Sequence, residues 1–247
     1  MNILLSGANG KMGREVIKAA KDTDFKITCG LCKDNHDLGF QVYDNKDKIK
    51  EKYDVIIDFS TPEGSFKALE CAKEKNIPIV IATTGFSKEE TAKIKEYSKY
   101  IPVFKSSNMS LNISLMSKIC GEVAKVLKDT DIEIIETHHN RKVDSPSGTA
   151  ILLADAINKA LKEEKTYNFN RMQKREKRTK NEIGFSSVRG GNIVGQHTVK
   201  FFGENESLEI THTAYSRGLF AEGALNAAKF IINKKPGLYT MEDLTKW

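Results

Sequence analysis

Apolar residues in the first hundred positions fall into short unbroken runs separated by amphipathic stretches. The runs are Asn2–Ser6, residues 25–31, Val55-Ile56-Ile57-Asp58-Phe59, residues 78–82 (PIVIA) and Pro102–Lys105. Runs with so few polar positions predict strands buried on both faces. Between them, residues 11–21 predict a helix. Ser60-Thr61-Pro62-Glu63 supplies a cap, a proline and an acid for a second helix that runs to about Asn76. Ser87-Lys88-Glu89-Glu90 is a capping box that opens a third. Strand alternating with helix in this way predicts a parallel sheet with helices on both faces.

After about Ser106 the pattern changes. Residues 111–127 predict a long helix with Ile113, Met116, Ile119, Val123, Val126 and Leu127 on its apolar side. Residues 132–137 predict a strand, and residues 149–161 a helix entered through Pro146-Ser147-Gly148. Three further strand signals, at residues 183–189, 195–202 and 207–215, are broken by Gly190-Gly191 and Gly203. Short turns between sequential strands predict antiparallel pairing inside an open mixed sheet. A last helix, residues 219–232, carries Phe220, Ala224, Ala227, Ala228 and Ile231 at helical spacing. The predicted fold class is α/β, with a parallel sheet first and an α+β domain on an open mixed sheet second. The domains are expected at residues 1–107 plus 217–247, and at residues 108–216.

Composition narrows the function classes. Hydrophobic residues make up 39% of the 247, enough to build a core rather than a disordered chain. No stretch approaches the ~18 uncharged apolar residues of a membrane span. No basic segment followed by a long apolar one opens the chain, which predicts a cytoplasmic protein. Cys29, Cys32, Cys71 and Cys120 are then expected to be free thiols, with Cys29-Gly-Leu-Cys32 an ordinary strand end. The formal charge is +6, from 39 basic against 33 acidic residues. It permits nucleic-acid binding and suits anionic small molecules equally. Residues 162–180 hold eight of the cations with few apolar residues, and predict a mobile solvated loop rather than a nucleic-acid arm.

The first chemical signal is Gly7-Ala8-Asn9-Gly10-Lys11-Met12-Gly13-Arg14, placed between the first strand and the first helix. Glycines there permit a tight turn and a close backbone approach to a pyrophosphate, and the helix N-terminus offers free N–H groups. The spacing is G-x-x-G-x-x-G, and its place at the head of an alternating β/α half predicts a Rossmann-like dinucleotide site. NAD-preferring sites put an acid roughly 20 residues onward. Here Cys32 and Lys33 stand at that place, with Asp34 the alternative if the register slips. Lys33 suits a 2′-phosphate, so NADPH is the expected cofactor, or dual use with NADH.

The second signal is Glu136-Thr137-His138-His139-Asn140-Arg141-Lys142-Val143-Asp144-Ser145-Pro146-Ser147-Gly148-Thr149-Ala150. Neighbours in a strand point to opposite faces, so one histidine is expected to do chemistry and the other to bind or support, unless the strand has ended. Histidine suits proton donation because its unperturbed pKa is about 6.5. Lys142 suits an anion, and Ser147, Gly148 and Thr149 form a helix N-terminus that suits a carboxylate. Metal binding is not expected, because adjacent histidines lack the i, i+4 spacing of a helical zinc pair. His197 and His212 lie inside predicted strands and read as structural, and His36 lies in a polar loop. No G-x-S-x-G elbow is present.

These segments together resemble the 4-hydroxy-tetrahydrodipicolinate reductase (dihydrodipicolinate reductase) family of lysine and diaminopimelate biosynthesis, across essentially the whole chain. GANGKMGR resembles that family's cofactor turn, and EIIETHHNRKVDSPSGTA its signature. DFSTPEG, ATTGF and SSNMS keep the family's order, and GFSSVRGGNIVGQHTV and ITHTAYSRGLFAEGAL resemble its later strands and closing helix. The chain departs from the family at Ala82 and Asn112, where glycine is common, and at Cys32, where an acid is frequent.

The resemblance implies hydride transfer from a reduced nicotinamide to ring carbon 4 of dehydrated 4-hydroxy-tetrahydrodipicolinate. A proton from His138, with Lys142 as its partner, would follow at the adjacent carbon. His139, Lys142, Gly148 and Thr149 would hold the substrate carboxylates, with Ser147 beside them. Gly7, Ala8, Asn9, Gly10, Lys11, Met12, Lys33, Phe59, Ala82, Thr83, Thr84, Gly85, Ser106, Asn108 and Met109 would line the cofactor site. Hinges are expected near residues 106–109 and 215–219, and the second domain is expected to bind substrate and to assemble a homotetramer. Neither a nucleic acid nor a membrane is an expected partner. The rival readings are another amino-acid-pathway dehydrogenase, for which the mid-helix Cys120 is a poor nucleophile, and a non-catalytic nucleotide sensor using the basic loop.

Overall fold

The computed structural model describes residues 1–21, 23–33, 37–173 and 175–245, with Gln173 described by its backbone alone. Asp34, His36 and Lys174, which the sequence brought into consideration, lie outside the described residues. The chain divides into two compact units, Met1–Ser110 with Arg217–Trp247, and Leu111–Ser216.

The first unit begins β1 (Asn2–Ser6), α1 (Lys11–Ala20), β2 (Lys26–Leu31) and β3 (Gln41–Tyr43). It continues β4 (Val55–Asp58), α2 (Pro62–Lys75), β5 (Ile79–Ile81), α3 (Lys88–Tyr97) and β6 (Pro102–Lys105). The second unit holds α4 (Leu111–Val126), β7 (Asp131–His138), α5 (Gly148–Ala160), β8 (Thr166–Asn168), β9 (Glu182–Arg189), β10 (Gly195–Phe202) and β11 (Ser207–Ala214). The chain then returns to the first unit as α6 (Gly218–Ile231), β12 (Gly237–Tyr239) and α7 (Met241–Leu244).

In the first unit seven parallel strands run in the order β12-β6-β5-β4-β1-β2-β3. Their unbroken apolar runs serve two cores, because successive side chains point to opposite faces. Ile3, Leu5, Val55, Ile57 and Val80 pack with Val16 of α1 and Ala221, Ala224 and Ala228 of α6. Leu4, Ile56, Ile79 and Ile81 pack on the other face with Ala68, Leu69 and Ala72 of α2 and Ile94 of α3. Thr61 caps α2 by accepting from the Gly64 N–H, and both halves of the Ser87–Glu90 capping box are formed. The strand order reverses between β1 and β4, and such switch points are where open α/β sheets bind ligands.

The second unit is a mixed sheet in the order β11-β10-β7-β9-β8. β10 pairs antiparallel with β7 and β11, whereas β9 pairs parallel with β7 and β8. The expected antiparallel pairing of the last three strands therefore holds for β10 and β11 but not for β9 and β10. β7 lies between those two, and the Gly190-Gly191 turn carries the chain past β7 rather than into a hairpin. α4 and α5 cover one face, through Ile113, Met116, Cys120, Leu153 and Ile157 on Ile132, Ile134, Val199 and Phe201.

Parts of the basic segment 162–180, which composition predicts to be a solvated loop, are tied to the sheet. The segment contains β8, and Lys165 is buried with its Nζ donating to the Lys180 carbonyl at 2.6 Å. Arg178 pairs with Glu133 and Asp131, and Arg171 with Glu182. Glu133 sits in a half-buried position where desolvation works to raise its pKa, so the cations are needed beside it. Part of the chain's positive excess thus neutralises the sheet's own carboxylates. The short β3, β8 and β12, of three residues each, carry too little periodicity to be read from sequence.

Candidate active site

β7 alternates with period two, and its covered face reads Ile132, Ile134, Glu136, His138. The core stripe therefore ends in a carboxylate and an imidazole, both buried. Glu136 Oε2 lies 2.6 Å from His138 Nδ1. Arg189, whose backbone pairs with His138 in the parallel register, reaches both oxygens of Glu136 at 2.7 Å with its two terminal nitrogens. The Ser147 backbone N–H donates to Glu136 Oε1 at 3.1 Å. Burial acts to raise the Glu136 pKa, but hydrogen bonds from Arg189, Ser187 and His138 outweigh it and hold the carboxyl at about 2. An ionised carboxylate only accepts, so this contact calls for hydrogen on Nδ1 of His138 and turns Nε2 to the other end of the ring.

His197 stands on the same face of β10, directly across from Glu136. Its ring packs edge-on against His138 with centroids 5.0 Å apart. Its Nε2 lies 2.7 Å from Ser147 Oγ, which also accepts from the Ala150 N–H. Burial, reinforced by the His138 charge, pushes the His197 pKa down to about 3, so this ring is neutral. Gly195 faces the end of the His138 ring, and a Cβ there would come within 2.9 Å of Nε2. A side chain at that position would displace the ring.

β7 ends at His138, so His139 lies beyond the strand, its N–H donating to the Ile193 carbonyl at 2.8 Å. Lys142 Nζ contacts both Asp144 oxygens, at 2.7 and 2.8 Å. At the start of α5, Ser147 is buried and its N–H and hydroxyl are both engaged within the protein. Gly148 faces open space, with nothing within 4 Å of where a Cβ would stand.

In the first unit, a cleft of about 530 Å³ opens at the β1/β4 switch point. It brings together Gly7, Asn9, Gly10, Phe59 and Lys33 of the sequence-derived set. Gly7 has φ +76°, and a Cβ there would lie 2.4 Å from the Phe59 carbonyl oxygen. A Cβ on Gly13 would lie 2.3 Å from the Gly7 oxygen. The turn thus needs glycine at both places. The N-terminus of α1 has no side-chain cap and no acid in its first turn, which leaves its amides and dipole available to a pyrophosphate. The turn fits a dinucleotide.

The other predicted cofactor residues are placed around this turn and at neighbouring strand ends. Ala8 is buried, Met12 packs on the core, and Lys11 is exposed. Ala82 and Thr83 are buried after β5, while Thr84 and Gly85 are exposed, Gly85 with φ +87°. After β6, Ser106 Oγ donates to the Asn108 carbonyl at 2.6 Å, and Met109 is buried in the core. Lys33 pairs with Glu63 at 3.6 Å.

Sequence reasoning missed Glu136, Arg189, Gly195 and the bridging role of His197 in the second unit. The signal was present for Glu136, which shares the i, i+2 stripe of Ile132 and Ile134. In the first unit it missed Asp44, Asn45 and Lys46, which line the cleft after the short β3. It also missed the fully buried Asp58. That carboxylate accepts from the hydroxyls of Ser6 (2.6 Å), Ser60 (2.5 Å), Thr83 (2.7 Å) and Ser65. Among the described residues, no group of three or more His, Cys, Asp and Glu side chains is placed to hold a metal ion.

Family models of dihydrodipicolinate reductase match both units. Residues 1–109 match the family model for the dihydrodipicolinate reductase N-terminus, and residues 112–245 that for its C-terminus. A 4-hydroxy-tetrahydrodipicolinate reductase of Caldanaerobacter subterraneus subsp. tengcongensis is 50% identical over 247 residues, covering 100% of this chain and 98% of the relative. One from Clostridium tetani is 47% identical over 245 residues, covering 98% and 96%. A dipicolinate-bound dihydrodipicolinate reductase from Paenisporosarcina sp. TG-14 has the same fold, with a TM-score of 0.81 at 23% identity over 100% and 99% of the two chains.

The buried histidine makes stability depend on pH in one direction. An unfolded histidine takes its proton near pH 6.5, whereas folded His197 does so near 3. Between those values the unfolded chain binds more protons, so the His197 contribution is whole above pH 6.5 and is lost as the pH falls toward 3. Urea unfolding between pH 6 and pH 5 is expected to lose up to ~1.4 kcal/mol per pH unit from this group. His197→Gln is expected to flatten that slope. An unchanged slope in the variant would contradict a neutral, buried His197.

Proposed function

The chain belongs to the dihydrodipicolinate reductase family and performs its NAD(P)H-dependent reduction of 4-hydroxy-tetrahydrodipicolinate to tetrahydrodipicolinate, and on that premise we propose that His138 delivers the proton while α5 and Lys142 hold the diacid. The observation that carries this reading is the double contact of Glu136. One carboxylate touches both the imidazole and the Ser147 amide that caps α5.

A reduced dinucleotide held through its pyrophosphate at the glycine turn would supply the hydride from its nicotinamide. Addition at ring carbon 4 of the dehydrated substrate leaves an enamine, whose neighbouring carbon takes a proton from His138 Nε2. Lys142, His139 and the amides of Gly148 and Thr149 receive the two carboxylates. The helix N-terminus there favours an anion, and the absence of a Cβ at Gly148 lets one come close. Ser147, also in the predicted substrate set, supports this turn through Glu136 and His197. Dipicolinate, the ligand of the Paenisporosarcina relative, is a planar ring with two carboxylates, the chemistry this arrangement suits. Gly7, Asn9 and Gly10 cradle the pyrophosphate. Ala8, Lys11, Met12, Phe59, Ala82, Thr83, Thr84, Gly85, Ser106, Asn108 and Met109 are assigned to the same cofactor by family resemblance.

NADPH is the preferred cofactor in this reading. Cys32 supplies no carboxylate at the end of β2, and Lys33, Lys46 and Lys67 line the cleft together with the acids Asp44 and Glu63. A homotetramer is what the family resemblance implies, and the outer face of the five-stranded sheet is the surface proposed for its assembly. Both helices of that unit lie on the opposite face, which leaves Ile135, Val188, Thr198 and Thr211 for self-association. A cytoplasmic location rests on the family's biosynthetic role. Among the described residues, no helix is long and apolar enough to cross a membrane.

Oxidation of reduced nicotinamide, followed by absorbance with substrate generated in situ, tests these assignments. His138→Gln is expected to lower kcat by about 10²–10⁴-fold, the usual worth of a general acid, with the cofactor KM unchanged. A fall under tenfold, or loss of cofactor binding, would reject the donor role. Lys33→Glu is expected to move the NADPH-to-NADH ratio of kcat/KM toward NADH by roughly tenfold, about 1.4 kcal/mol. An unchanged ratio would reject Lys33 as the phosphate partner.

A further inference from the structure

We infer that Glu136 and Arg189 form a positioning pair that fixes the tautomer and orientation of His138, and that this pair, rather than Lys142, holds the donor ready for proton transfer. The inference rests on the assignment of His138 as proton donor and extends it to residues that do not touch the substrate.

The geometry leaves His138 few alternatives. Its Nδ1 is 2.6 Å from an oxygen of Glu136, a carboxylate with 1% exposure that two Arg189 nitrogens also clamp. Rotating the imidazole by half a turn would break the bond to Glu136. The opposite end of the ring lies against Gly195, where a side chain would intrude. Arg189 also donates to the Asp144 carbonyl at 2.8 Å, and Glu136 accepts from Ser147, so the pair ties the donor to the loop that begins α5. Lys142 is instead paired with Asp144.

The charged and titratable groups around His138 act in opposed senses. Glu136 on its own strand favours the imidazolium, and Arg189 on β9 opposes it. His197 on β10 is neutral. Lys142 and Asp144, on the loop before α5, offset one another. The two members of the pair should therefore move the donor's proton affinity in opposite directions when removed. A carboxylate in contact with a titrating group commonly shifts it by one to three pH units.

The test is the pH profile of kcat/KM in the full-length protein. Its alkaline limb reports loss of the donor's proton. Glu136→Gln is expected to move that limb to lower pH by at least one unit, and Arg189→Met to move it to higher pH. Arg189→Lys, which keeps the charge, is expected to leave the limb at the wild-type position with reduced kcat. A uniform loss of activity in Glu136→Gln and Arg189→Met, with the limb unmoved, would overturn the inference. If Glu136→Gln does not fold, Glu136→Asp keeps the charge but draws it back from Nδ1, and kcat is expected to fall at least tenfold with the cofactor KM unchanged. Wild-type turnover in that variant would equally overturn the inference. Full activity in His138→Gln would instead sink the donor assignment itself. An inactive His138→Gln with an unmoved limb in Glu136→Gln would sink the positioning pair alone.

Discussion

A carboxylate removed from water must find a partner for each oxygen, and at the end of β7 that requirement organises the second unit. Glu136 continues the stripe of Ile132 and Ile134, so the pleat drives it under the helices whether or not it is charged. Once there, it needs Arg189 from β9, the Ser147 amide from the start of α5 and the His138 ring from its own strand. Its own strand, the start of the next helix and a strand 53 residues away thereby converge on one group. Truncating a member of such a cluster leaves a buried charge uncompensated, which commonly costs about 3–5 kcal/mol. The same bonds that satisfy the charge hold the imidazole and the helix start to which the proposed chemistry is assigned.

The first unit meets a similar demand with different chemistry. Asp58 is fully buried at the end of β4, and the hydroxyls of Ser6, Ser60, Ser65 and Thr83 surround it. Those hydroxyls come from the end of β1, the α2 entry and first turn, and the segment after β5. The carboxylate therefore knits the strand ends that border the dinucleotide cleft. Hydroxyls suffice there because the task is to fix loops. Glu136 is met by a guanidinium, which helps to hold it ionised beside the His138 ring. The chain's net charge of +6 takes on local meaning in this light: Arg171, Arg178 and Arg189 neutralise the protein's own buried and half-buried acids.

The parallel sheet was legible because its strands are continuous apolar runs, and the helix starts because Thr61 and Ser87 carry their capping chemistry in sequence. The glycine turn was legible because steric demands at Gly7 and Gly13 admit no other residue. What stayed hidden depends on pairing between distant segments. Nothing local to residues 183–202 says that β7 lies between β9 and β10, and eight cations in one stretch look alike whether solvated or paired. His197 read as a strand histidine because its partner, Ser147, lies 50 residues away. Glu136 could have been found, since its place in the alternation of β7 predicts a buried acid, and a buried acid beside His138 predicts a partner for the ring.

The most direct test of this account is the protonation state of His138 in solution. Nitrogen-15 spectra of histidine-labelled protein, with His138 assigned by loss of its signals in His138→Gln, report which ring nitrogen carries hydrogen when the ring is neutral. Free imidazole side chains favour hydrogen on Nε2. The account predicts that neutral His138 carries it on Nδ1, donating to Glu136, with Nε2 the basic site. Hydrogen on Nε2, or rapid averaging between the two nitrogens, would contradict a donor fixed by the buried carboxylate.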